Sequence, residues 1–60
     1  MNKRIQLLIQ AKRLIAYAQR VEKALQSLDS RDHQNALADV AEAGEIARRL
    51  YLAIQDYLKT

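Results

Sequence analysis

Apolar residues recur along this chain in alternating steps of three and four, in two runs separated by one short polar break. The first run is Leu7, Ala11, Leu14, Ala18, Val21, Leu25 and Leu28; the second is Leu37, Val40, Gly44, Ala47, Tyr51, Ile54 and Leu58. Steps of three and four hold side chains on one side of a helix. The pattern predicts a first helix over about residues 3–28, a turn at 29–31 and a second helix over about 31–58, in a single domain spanning 1–60. Proline is absent, and the one glycine, Gly44, lies in the second run. The first run is filled with Gln, Lys, Arg, Leu and Ala, which all favour helix.

The break is Asp29-Ser30-Arg31-Asp32. Asp29 or Ser30 can cap the second helix by accepting from a free backbone N–H. Asp32 then lies in the first turn, where the helix dipole favours an anion. So short a connection makes the helices antiparallel, and residues whose numbers add to about 61 share a level. On that register Val21 meets Val40, Ala18 meets Ala43 and Gly44, Leu14 meets Ala47, and Leu7 meets Ile54. Gly44 reads as a close-packing position among these small residues. Leu8 and Ile15 widen the first stripe; Ala36, Ala43, Leu50 and Tyr57 widen the second. Stripes this wide exceed what two helices need, and they predict an all-α fold in which two hairpins dimerise into a four-helix bundle.

The size of the chain points the same way. Ordering sixty residues at about 1.5 kcal/mol each costs roughly 90 kcal/mol. At about 25 cal/mol per Å², that requires on the order of 3,600 Å² of apolar burial. A compact chain of this size buries about 6,000 Å², of which about 60% is apolar, so it only breaks even. There is no cysteine for a disulfide and no ligand set for a structural metal. Association is the remaining source of stability, either with a second copy or with a different chain that completes the core.

No apolar run approaches the length of a membrane span. The basic start, Met1-Asn2-Lys3-Arg4, is followed by an apolar run, Ile5 to Ile9, that is too short for a signal peptide and is broken by Gln6. A cytoplasmic protein without a membrane partner is expected.

Charge divides unevenly between the helices. The first carries Lys3, Arg4, Lys12, Arg13, Arg20 and Lys23 against Glu22 alone; from Asp29 onward four cations face six acids. Lys12, Arg13, Arg20 and Lys23 could hold phosphates across paired first helices. They could equally be a solvated surface with complementary charge on the second helix. Ile5 and Ile9 lie off the stripe, one turn apart, either as a docking patch at the open end or as residues that the dimer buries. Ile46 and Leu52 also fall outside the stripes.

Tyr17, Tyr51 and Tyr57 read as core residues with their hydroxyls at the rim. Tyr17 also borders Arg13 and Arg20, where a base could stack. His33 reads as a turn or end-of-core residue rather than a metal ligand, and Glu45 with Arg49 as a surface ion pair. No cluster carries a catalytic, cofactor-binding or metal-binding signature, so neither an enzyme nor a small-molecule substrate is expected.

In length, register and turn the chain resembles the Rop family, plasmid copy-number regulators that dimerise as antiparallel four-helix bundles and bind paired RNA hairpins. The likeness is carried by Leu28-Asp29, Asp32, His33 and Gln34 at the turn, and by small Ala11 and Ala18 alternating with Leu7, Leu14 and Val21. The resemblance implies the bundle and an RNA face on the first helix. At the centre of that face the family carries phenylalanine, whereas Arg13 stands here, with Ile9, Tyr17 and Ala24 around it. The expected function is therefore a homodimeric, non-enzymatic regulator, inhibitor or adaptor that contacts another protein through Ile5, Ile9, Lys12 and Arg13. RNA binding through Lys12, Arg13, Arg20 and Lys23 is the alternative.

Overall fold

The structure, a computed structural model, describes residues 2–59. Met1 and Thr60, the ends of the expected domain, lie outside the described residues. Two helices, α1 (Lys3–Gln26) and α2 (Ser30–Lys59), pack against each other as a hairpin 47 Å long and 15 by 13 Å across.

Local hydrogen bonds set the helix ends. The Asn2 side chain caps α1 by accepting from the Arg4 N–H at 2.9 Å. Helix α1 stops two residues before the expected end because Ser27 turns to an extended conformation and its hydroxyl accepts from the Asp29 N–H. A serine with a local backbone partner competes with helix continuation. Asp29 caps α2, its side chain accepting from the Arg31 N–H at 2.9 Å while its carbonyl accepts from Asp32 and His33. His33 donates from Nε2 to the Ser27 carbonyl at 2.6 Å and ties the start of α2 to the end of α1.

The seam between the helices departs from the expected pairing. On α1 the half-buried residues are Leu7, Gln10, Ala11, Leu14, Tyr17, Val21 and Ala24, followed by Ser27 just past its end. On α2 they are Asp32, Asp39, Ala43 and Leu50, with Ala36 and Ile46 fully buried at 4% exposure each. Every α2 seam residue from Ala36 onward stands one position ahead of a stripe residue: Ala36 before Leu37, Asp39 before Val40, Ala43 before Gly44, Ile46 before Ala47, Leu50 before Tyr51. One residue is about 100° around a helix, so α2 meets α1 along one edge of its stripe.

Helix α1 makes a smaller rotation. Leu7, Ala11, Leu14 and Val21 stay in the seam, while Tyr17 and Ala24 replace Ala18 and Leu25. The expected contacts of Val21 with Val40, Leu14 with Ala47 and Leu7 with Ile54 are therefore not the ones that hold the hairpin. Gly44 is exposed, and a Cβ built there meets nothing within 4 Å, so it is not a close-packing position within the hairpin. Ile46, which the heptads place outside the stripe, is one of the two buried residues. The small side chains of Ala36 and Ala43 allow the helices to close along this edge.

The rest of the stripe is left uncovered. Ala18, Leu25, Leu28, Leu37, Val40, Gly44, Ala47, Tyr51, Ile54 and Leu58 are all exposed, Leu28 at 99%. Leu8 and Ile15 join them. Both helices are rotated in the same sense relative to the seam, and antiparallel packing turns a shared sense into a shared side. The hairpin is consequently two-faced. One broad side carries the apolar residues of both helices; the other carries Arg13, Arg20 and Lys23 of α1 with Asn35, Glu42, Arg49 and Asp56 of α2.

Its accessible surface is 5107 Å², against about 4,000 Å² for a compact chain of 6.9 kDa. Its radius of gyration is 14.1 Å, against about 10 Å for a compact chain of this length. The surplus surface of about 1,100 Å² comes from the elongated shape.

Candidate interaction surfaces

Three surfaces can be built from these elements. The first is the apolar side just described. Its outer margins carry Arg4, Lys12 and Glu22 on α1 and Arg48 on α2, and Lys12 and Arg48 share a level. The acids of α2 lie elsewhere: Asp32 and Asp39 in the seam, Glu42, Glu45 and Asp56 on the polar side.

The second is the outer edge of α1. Ile5 and Ile9 are exposed at 48% and 47%, and Lys12 and Arg13 are exposed beside them. None of the four is in the seam, so the hairpin leaves them exposed.

The third is a shallow cleft of about 340 Å³ on the polar side near the turn, lined by Arg20, Lys23, Ala24, Ser27, Asp32, Asn35 and Asp39. Arg20 dominates its chemistry. Its guanidinium lies 3.4 Å from the Asp39 carboxylate and 5.3 Å from the centre of the Tyr17 ring. Asp39 is the better buried partner, its side chain 16% exposed. Tyr17 is half-buried with a cation over one face.

The seven expected contact residues therefore separate into groups. Ile5, Ile9, Lys12 and Arg13 form one exposed edge; Lys23 is exposed at the cleft; Arg20 is drawn to Asp39, and Tyr17 into the seam. Asp39 was not singled out by the sequence. Its only signal is its place one residue ahead of Val40, which becomes legible once the rotation of α2 is known.

Two further ion pairs are exposed. Lys3 approaches Asp56 at 3.9 Å across the open end, and Arg49 meets Glu45 at 3.8 Å within α2, as its spacing predicts. Both cross-helix pairs, Lys3–Asp56 and Arg20–Asp39, lie within two residues of the expected level. Among the described residues, no group of three or more His, Cys, Asp and Glu is placed to hold a metal ion. Among the same residues, no helix is long and apolar enough to cross a membrane.

Comparison with known proteins finds no family model, no curated protein and no solved structure that matches this chain. The likeness to the Rop family rests on the residues quoted for it.

Proposed function

We propose that this chain is a small, non-enzymatic binding protein that works as a homodimer of hairpins, two of which form a four-helix bundle. Its task on this reading is to occupy a surface on another protein, as a regulator, inhibitor or adaptor. One observation carries the proposal: the outer edge of α1 presents Ile5, Ile9, Lys12 and Arg13 together, clear of the seam. Apolar anchors beside unpaired cations are a surface for an acidic protein partner with an apolar centre. The two-faced hairpin supports the dimeric part, because its uncovered apolar side has the composition of a bundle interior.

Protein is preferred to RNA as the target because one of the four candidate phosphate contacts is engaged elsewhere. Arg20 lies against Asp39 and over one face of the half-buried Tyr17 ring, which leaves less of that ring open to a stacking base. The test is affinity capture from the native host with wild type and with Ile9→Asp, each with and without RNase. The expected result is a protein captured by wild type, insensitive to RNase and lost with Ile9→Asp, while helicity and mass in solution are unchanged. Capture that Ile9→Asp leaves intact, or that RNase abolishes, would overturn the assignment.

A further inference from the structure

The outer edge of α1 carries a second row of residues in steps of four and three: Ile5, Ile9, Lys12, Ala16, Gln19 and Lys23, all exposed. We infer that this row receives a helix of the protein partner, with apolar residues over Ile5, Ile9 and Ala16 and acids over Lys12 and Lys23. This inference rests on the protein-binding reading above and deepens it by naming the element that binds and how far along α1 it reaches.

Spacing comes first. Alternating steps of four and three mark a face that packs along another helix. At about 3.6 residues per turn, Lys23 stands about five turns beyond Ile5, so the two point the same way. Ile5, Ile9, Lys12 and Gln19 each stand two residues before a seam residue, namely Leu7, Ala11, Leu14 and Val21. Two residues are about 200° around a helix, so the row occupies the far side of α1 from α2. Its apolar members belong neither to the seam nor to the uncovered side, and a dimer formed through that side leaves them open. The row is about 27 Å long, a length that one helix of about 20 residues matches.

Charge and size then select the kind of helix. Lys12 and Lys23 lie on the row and Arg13 beside it; among the described residues none of the three is in an ion pair. Glu22, the one acid of α1, lies on the margin of the uncovered side, and the acids of α2 lie in the seam or on the polar side. The hairpin therefore supplies no counter-charge along this row, and acids at matching positions of a partner helix would. Ala16, the smallest residue of the row and near its middle, lets two helix axes approach to about 8–10 Å. Ile5 and Ile9 offer apolar anchors at the open end. A nucleic acid would meet the same cations, but its phosphates leave these isoleucines without an apolar partner.

The experiment uses the full chain and a labelled synthetic peptide of about 20 residues. The peptide carries leucine facing Ile5, Ile9 and Ala16 and glutamate facing Lys12 and Lys23, and is made in parallel and in antiparallel register. One register is expected to bind in fluorescence anisotropy, more weakly as salt is added. Ile9→Asp and Ala16→Arg are each expected to weaken binding about tenfold or more, with the helicity of the hairpin unchanged. Lys23→Glu is expected to weaken it about fivefold, and a peptide with lysine in place of the facing glutamate to recover the loss.

A peptide that is helical by circular dichroism and binds in neither register would overturn the inference. Equal binding to wild type, Ala16→Arg and Lys23→Glu would do the same. Capture from the native host with these two variants separates the inference from the reading beneath it. A protein lost with Ile9→Asp but retained by both variants touches only the open end, which overturns the helix and leaves the protein partner standing. Capture indifferent to Ile9→Asp overturns both. Binding of a short RNA duplex in place of the peptide, weakened by Lys23→Glu, would also overturn both and assign the edge to a nucleic acid.

Discussion

Neighbouring residues of α2 live in opposite settings. Ile46 is 4% exposed against α1, whereas Leu37 and Tyr51, which the heptads rank as better core positions, are about two thirds exposed. The seam is narrow, built on alanines, and takes in Asp32 and Asp39. The uncovered side is wide and contains most of the leucine, isoleucine and valine of the chain that is off the seam. The hairpin is held by its weaker apolar surface and has its stronger one in water. The stronger surface is where free energy remains to be gained by burial.

Three variants sharpen this contrast. The largest effect is expected from Val40→Glu combined with Ile54→Glu on the uncovered side. Each buried, unpaired charge costs about 3 kcal/mol or more, and symmetry counts it in both copies. Association is expected to vanish at micromolar concentration in sedimentation equilibrium, and helicity to fall with it. Dimers of unchanged affinity would show that this side is not the interface.

An intermediate effect is expected in the seam. Ile46→Ala removes the largest buried side chain and is expected to cost about 2–4 kcal/mol per protomer in urea denaturation at fixed concentration. A loss under about 1 kcal/mol would show that the seam, too, contributes little beyond chain connectivity. The smallest effect belongs to the polar side. Arg20→Ala gives up the Asp39 pair and the Tyr17 contact, but the arginine side chain is 65% exposed. About 0.5 kcal/mol is expected, shrinking as salt is added, by thermal denaturation across an ionic-strength series.

Much of the fold was legible in the residues. The two runs gave both helices, and their ends fell within two residues of the observed ones at every described boundary. Asp29 was readable as a cap because a carboxylate before a helix has an obvious donor to accept from, and the Arg31 N–H is that donor. Glu45–Arg49 was readable because both partners lie on one helix. The seam was not readable in the same way. A heptad stripe fixes which residues prefer burial, but not which edge of a wide stripe the nearer helix takes. Leu37 and Ile46 were therefore ranked the wrong way round for the hairpin, and Asp39 was passed over because its partner, Arg20, lies on the other helix.

The contact edge of α1 divides similarly. Ile5, Ile9, Lys12 and Arg13 are near in sequence, so helix geometry alone brings them together. Tyr17 and Arg20 belong to the same helix, but α2 draws them toward the seam and Asp39.

The sequence by itself determined two antiparallel helices, a capped turn, an excess of apolar surface and a basic first helix, since each follows from local spacing or from composition. Only the tertiary structure decided how far each helix turns about its own axis. That rotation depends on how facing side chains fit across a gap, with Ala36 and Ala43 admitting close approach along one edge. It buries Ile46, leaves Leu37 and Leu25 in water, and so gives the hairpin one broad apolar side that the seam does not cover.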